Sequence, residues 1–206
     1  MIGLAVCLLT ATAVRGGEPV SIFDGKTFKG WEGDLKTTWH IEDGALVGGR
    51  METTVPHNEF ICTERSYTNF VLRLKFKLVG KSGFINGGVQ VRSKHVAKPA
   101  YELSGYQADM GDPEWWGCLY DESRRDKVVA KSDIKEVNKV LKRGDWNDYV
   151  VRCEGKHIQV ILNGYKTVDY TEPDDSIEQF GIIGLQVHGG GQTEASYRDI
   201  TIEELP

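Results

Sequence analysis

Three short segments alternate apolar residues with side chains that bind oxygen or move protons. They are Gly88-Val89-Gln90-Val91-Arg92, Tyr106-Gln107-Ala108-Asp109-Met110 and Gly184-Leu185-Gln186-Val187-His188. On a strand, successive side chains point to opposite faces. Gln90 therefore shares a face with Arg92, Gln107 with Asp109, and Gln186 with His188, while the valines, Leu185, Tyr106, Ala108 and Met110 turn the other way. Outward strand positions are polar in most antiparallel sheets. The types here still differ from an ordinary wet face such as Arg73, Lys75 and Lys77 in Asn69–Val79. Amides and a guanidinium hold hydroxyls and carbonyl oxygens, and a carboxylate and an imidazole can exchange a proton near neutral pH. His188 runs into Gly189-Gly190-Gly191, so its ring ends a strand beside a flexible turn where it can reach a substrate. Strands that neighbour one another would bring all six groups together, with Gly88 and Gly184 leaving room for a ligand.

The second of these segments leads into an aromatic one. Gly111-Asp112-Pro113 breaks the strand, and the following loop carries Trp115, Trp116 and Tyr120. Flat amphipathic rings of this kind stack on sugar faces, so the polar pairs and the loop together read as the rim of a carbohydrate site. Glu122 adds a carboxylate to that rim. Asp121, Glu122, Arg124 and Arg125 read equally well as a solvated salt-bridge cluster. His40, His57, His95 and His157 are given structural roles, and Trp31, Trp39 and Trp146, beside apolar strand residues, are assigned to the core.

The elements that must position these groups are short β runs punctuated by Gly, Asn and Asp. Thr38–Glu42 and Ala45–Gly48 flank Asp43-Gly44, and His157–Leu162 and Tyr165–Tyr170 flank Asn163-Gly164, both strong hairpin signals. In Asn69–Val79, Phe70, Leu72, Leu74, Phe76 and Leu78 form one apolar face. Tyr149–Cys153, Phe180–His188 and Ala195–Glu203 add further strands. Only Asp133–Lys142 carries a helical stripe (Ile134, Val137, Val140, Leu141), with Ser132 or Asp133 as its cap. About a dozen strands and one helix predict a two-layer β-sandwich of antiparallel sheets.

The 206 residues suffice for one all-β domain, and 40% hydrophobic with 27% charged residues is ordinary for a globular chain. A formal charge of −5, with Lys and Arg scattered, argues against nucleic acid and a polybasic membrane patch. Residues 1–17 read as a secretory signal, with an apolar run from Ile2 to Leu9 leading into Ala11-Thr12-Ala13. That run is too short to span a bilayer. The expected organisation is a signal over 1–17 and one domain over 18–206, secreted or periplasmic. Cys7 lies in a poor lipid-attachment box. Cys62, Cys118 and Cys153 show no C-x-x-C spacing and are expected as free buried thiols.

From about Val20 to Leu205 the chain resembles the 3-keto-disaccharide hydrolase family of secreted bacterial proteins. The resemblance rests on Phe23-Asp24-Gly25-Lys26-Thr27 with Gly30-Trp31, and on the Trp39–Leu46 block. More specific are Gly105-Tyr106-Gln107-Ala108-Asp109, Trp116–Glu122 with Arg125, and Gly184–Gly190, in that order. Many relatives carry Gly-x-Asn-Ser-Gly-Ile before the arginine strand. This chain has Phe84-Ile85-Asn86-Gly87-Gly88-Val89, which puts a hydroxyl contact at Gly87 in doubt.

The resemblance implies a concanavalin A-like jelly roll acting on glycosides oxidised at C3. A C3 ketone acidifies the C2 proton, so a base can remove it and the enolate can expel the group at C1; water can then add. On this reading His188 or Asp109 is the base, and the other is acid or orienter. Arg92 and Gln107 hold the keto oxygen and hydroxyls, while Gln90, Gln186, Trp115, Trp116, Tyr120 and Glu122 contact the sugar. A divalent metal could also polarise the ketone, but no ligand set in the sequence assigns one. The alternative is a non-catalytic carbohydrate-binding module on the same sandwich. The sequence leaves the oligomeric state open.

Overall fold

A computed structural model describes residues 17–99 and 101–206; the signal reading of 1–17 falls almost wholly outside them. Along the chain the strands are β1 (Val20–Ser21), β2 (Trp31–Gly33), β3 (Trp39–Glu42), β4 (Ala45–Gly49), β5 (Glu59–Tyr67), β6 (Phe70–Gly83), β7 (Asn86–His95), β8 (Leu103–Gly111), β9 (Leu119–Glu122) and β10 (Lys127–Ala130). After the helix α1 (Ile134–Val140) come β11 (Asn147–Glu154), β12 (His157–Leu162), β13 (Tyr165–Thr171), β14 (Gly181–Val187) and β15 (Gly191–Glu204). They form two antiparallel sheets. The first runs β13-β12-β11-β6-β15-β4-β3, with β1 added beside β15, and the second runs β10-β9-β8-β7-β14-β5-β2. Both sheets interleave distant segments, as a jelly-roll sandwich does.

Local chemistry explains the main elements. At Asp43-Gly44 and Asn163-Gly164 both turn residues have positive φ, the backbone that joins two twisted strands through a two-residue loop. Along β6, Phe70, Leu72, Leu74, Phe76 and Leu78 are buried while Arg73 is exposed, so the alternation reads through directly. Asp133 caps α1 by accepting from the Lys135 and Glu136 amides at 2.9 and 3.3 Å. Ser132 just before it donates to the Trp116 carbonyl at 2.7 Å, tying the helix start to the aromatic loop.

The core lies between the sheets. Val89, Val91, Tyr106, Ala108, Met110, Leu185 and Val187 meet Leu72, Phe76, Tyr149, Val151, Val160 and Tyr197 in one cluster. Trp31 and Trp39 are buried in it as expected. Trp146 is not: it is half-buried outside that cluster, with the Arg198 guanidinium 4.0 Å and the Lys77 ammonium 5.3 Å from its ring centre. Cys62, Cys118 and Cys153 are free and buried, with thiols pushed up by desolvation. Among the described residues no helix is long and apolar enough to cross a membrane.

Candidate active site

Strand register assembles the site on the outer face of the second sheet. Gln90 stands opposite Gln107 across β7 and β8, and Gly88 opposite Asp109. On the other side of β7, Gly184 faces Gln90 and Gln186 faces Gly88. Across β8 and β9, Gln107 pairs with Tyr120 and Gly105 with Glu122. Directly paired residues share a face, so Gln90, Gln107, Asp109, Tyr120, Glu122 and Gln186 all point away from the core. His188 follows β14 immediately, anchored by its amide to the Asn86 carbonyl at 3.0 Å. A cavity of about 110 Å³ results, lined by Phe84, Asn86, Gln107, Asp109, Trp115, Tyr120, Glu122 and His188.

Its titratable groups are perturbed in opposite directions. Burial raises Asp109 to about 7, against bonds to its Oδ1 from the Asn86 amide at 3.1 Å, the Met110 amide at 3.2 Å and Gln107 at 3.4 Å. All three donors converge on Oδ1, leaving Oδ2 as the oxygen to carry a proton. Glu122 is raised to about 8, first by burial and then by the nearby negative charges of Glu102, Asp109 and Asp126. His188 is lowered by desolvation. Its Nδ1 lies 2.7 Å from the Gly189 carbonyl, which can only accept, so Nδ1 carries the proton and Nε2 keeps its lone pair. The Phe84 ring stands edge-on to the imidazole at 4.7 Å. Carboxyls held protonated beside an imidazole held neutral are suited to general acid and base work near neutral pH.

The amides are under-satisfied. Gln90 is fully buried with no hydrogen-bond partner on either amide atom, and Gln107 Oε1 and Gln186 Nε2 are also unpartnered. The one link between these side chains runs from Gln107 Nε2 to Gln186 Oε1 at 3.1 Å. A buried polar atom without a partner costs about 1–3 kcal/mol. Such a cluster on the site face is suited to a ligand dense in hydroxyls.

Arg92 requires a correction. A register shift falls between Val91 and Lys94, and Arg92 has φ 52°. The bulge reverses its side chain relative to the period-two expectation, so it does not share the face of Gln90. It donates instead to the carbonyls of Thr68 at 2.8 Å and Gly155 at 2.6 Å, and to Gln179 and Asn69. Trp116 likewise leaves the rim: its ring lies in the core against Phe76, and its Nε1 donates to Asp112 at 2.9 Å. Trp115 stays at the cavity, edge-on to Phe84 and Tyr120. Tyr120 belongs to β9 rather than to the loop.

Asp121 is no part of a solvated cluster. It is fully buried on the other face of β9 and ion-paired with Arg124 and Arg125. Position 87 faces Tyr197 and Ala195, so the missing serine hydroxyl would not have entered the cavity. Three contributors went unread in the sequence. Asn86 lies two residues before Gly88 on the same strand face, and period two would have found it. Phe84 and Glu102 reach the site from loop ends, where no periodicity applies. Among the described residues no group of three or more His, Cys, Asp or Glu is placed to hold a metal ion.

The family model of the 3-keto-alpha-glucoside-1,2-lyase-like domain matches residues 18–203. The chain belongs to this family. No curated protein matches the sequence. Among solved structures, two proteins of Parabacteroides distasonis provisionally assigned as glycosyl hydrolases share the fold. One aligns at TM-score 0.69 and 21% identity over 92% of this chain and 94% of the other. The second gives TM-score 0.64 and 27% identity over 91% and 100%. The carbohydrate-binding module CBM66 of Bacillus subtilis aligns at TM-score 0.65 and 19% identity over 85% and 96%, a likeness of fold. The family model spans almost the whole of the domain that carries the sheet-face site.

Proposed function

We propose that this protein cleaves the glycosidic bond of 3-keto-glycosides by elimination across C1 and C2. Membership of a 3-keto-alpha-glucoside-1,2-lyase-like family supports the substrate class. The observation that carries the chemistry is the opposed perturbation of His188 and Asp109 in one cavity. Neutral His188, with Nε2 unprotonated, takes the C2 proton. The electron pair moves to the C3 oxygen as an enolate, which accepts hydrogen bonds from the amide donors of the cavity wall, Asn86 and Gln107. Collapse of the enolate forms the C1–C2 double bond and breaks the C1–O bond, and Asp109 gives its proton to the departing oxygen. Addition of water to the enone would make the net reaction hydrolysis. Trp115 and Tyr120 flank the sugar ring, and Glu122, protonated near neutral pH, serves as a hydroxyl donor. Secretion, inferred from the leader-like residues 1–17, would place the enzyme where glycosides are met.

The test compares a glucoside with its 3-keto derivative, unlabelled and deuterated at C2, with and without chelator. The expected result is turnover of the keto form alone, slowed by C2 deuteration. Activity lost with chelator would add a metal requirement. Equal turnover of both sugars, or none alongside measurable sugar binding, would overturn the reading, the latter in favour of a binding module.

A further inference from the structure

The imidazole of His188 is held by the residue that follows it, and that residue is held in turn by a side chain from another loop. Gly189 uses both of its polar groups on this task. Its carbonyl accepts from His188 Nδ1 at 2.7 Å, and its amide donates to Asn58 Oδ1 at 3.2 Å. The other end of the Asn58 amide donates to Glu102 Oε2 at 3.3 Å, and Glu102 Oε1 accepts from the Leu103 backbone amide at 3.0 Å. Contacts thus run from Glu102 through Asn58 to the His188–Gly189 peptide, and the peptide after it presents the Gly189 carbonyl to the imidazole.

The surrounding packing fixes the same geometry. A Cβ at Gly189 would come within 2.6 Å of the His57 Cα and 2.7 Å of its carbonyl carbon, so the two loops meet backbone to backbone. On either side, Gly190 donates to the Val55 carbonyl at 2.7 Å and Val55 donates to the Gly191 carbonyl at 2.9 Å. Tyr101 stacks on His57 with ring centres 3.6 Å apart, so the loop carrying Glu102 clamps the Asn58 loop from above.

We infer that Asn58 is a positioning residue that sets the tautomer and orientation of His188, with Glu102 as the group that orients Asn58. It touches no reacting atom. By fixing the His188–Gly189 peptide it holds the backbone that carries the ring, while the Gly190 amide on Val55 fixes the next peptide and aims the Gly189 carbonyl at Nδ1; the proton there leaves Nε2 free as the base. Which ring nitrogen is free follows from the hydrogen bond made by the other. A base so held in one tautomer is what deprotonation at C2 needs, so this inference rests on the role proposed for His188.

The experiment is an imidazole ¹⁵N spectrum of the intact protein, joined to kinetics on a 3-keto-glucoside. Wild-type His188 is expected in the Nδ1-protonated form. In Asn58→Leu it should exchange between tautomers, and kcat should fall about tenfold, the scale of losses when an outer-shell orienting partner is removed, with KM changing less than about twofold. Asn58→Asp joined to Glu102→Gln keeps an acceptor for the Gly189 amide and a donor between the two side chains, and should retain the wild-type tautomer. An unchanged tautomer in Asn58→Leu, with a thermal transition close to wild type, would overturn the inference. The spectrum does not depend on turnover. An inactive wild type with a fixed tautomer would therefore sink the proposed reaction and leave the positioning role standing.

Discussion

Asp109 is where function and stability pull apart. Its carboxyl is raised by burial from an ordinary 3.8 to about 7. The folded state therefore binds the proton more tightly than the unfolded chain. Between about pH 4 and pH 7 the native protein holds more protons, so stability falls as pH rises through that window. Above it the charged carboxylate remains buried at a cost on the order of a few kcal/mol. Asp109→Asn removes that charge and keeps the shape. We predict a higher melting temperature than wild type at pH 8, little difference at pH 4, and lost turnover throughout. The pH dependence of turnover tests whether both groups act. With His188 as base and Asp109 as acid, kcat/KM should rise as the lowered imidazole loses its proton and decline above about pH 7 as Asp109 ionises. A profile still climbing beyond pH 8 would remove Asp109 as the proton donor.

At the scale of the strand, the site depends on where a side chain has been left out. A Cβ on Gly88 would stand 2.5 Å from Gln107 Cδ and Cγ, so Gln107 lies across the bare backbone of its neighbour. No positive φ is recorded at Gly88, so alanine there is free of backbone strain and acts on Gln107 alone. Gly88→Ala should raise KM about three- to tenfold, the worth of a hydrogen bond, while far-ultraviolet circular dichroism stays that of wild type. An unchanged KM would take Gln107 out of substrate binding. Strand alternation made much of this legible beforehand, because Gln90, Gln107, Asp109 and Gln186 keep period two and their strands lie side by side. Arg92 was misread because the bulge at its position breaks that period, and a single-residue register shift leaves no mark in an apolar-polar pattern. Trp116 was misread because a tryptophan after a turn looks the same whether its ring stacks on a sugar or, as here, on Phe76. Glu102 and Asn58 lie in loops whose proximity to β14 is decided by tertiary packing alone. The sandwich itself was readable from its hairpin turns and from β6, whose faces alternate from Leu72 to Val79.

Across the whole molecule, the two sheets are joined at one margin by a buried ionic knot. Asp121 comes from β9 in the second sheet, and Glu172 directly follows β13 at the edge of the first. Arg125 bridges them, pairing with Asp121 and donating to Glu172 at 3.1 and 2.6 Å. Tyr106 and Tyr170 also donate their hydroxyls to Glu172, at 2.7 and 2.9 Å. Burial alone would raise Glu172, but Arg125 and these donors outweigh it and hold the carboxyl at about 2 instead of 4.5. A depressed carboxyl contributes stability that is fully present above its unfolded value and lost as pH falls through its folded one. The knot should therefore hold above about pH 4.5 and fail progressively towards pH 2. Because Asp121 alternates with Tyr120 and Glu122 on β9, the same knot fixes the strand that walls the site. Arg125→Met leaves Glu172 buried without a cation and Asp121 with Arg124 alone, and stripping the cation from a buried pair costs about 3–5 kcal/mol. Urea unfolding at pH 7 should show that loss, and the variant's stability should decline less than that of wild type between pH 4.5 and pH 2. Equal midpoints at pH 7 with the same acid slope would mean that the sheets are held at this margin by packing rather than by charge.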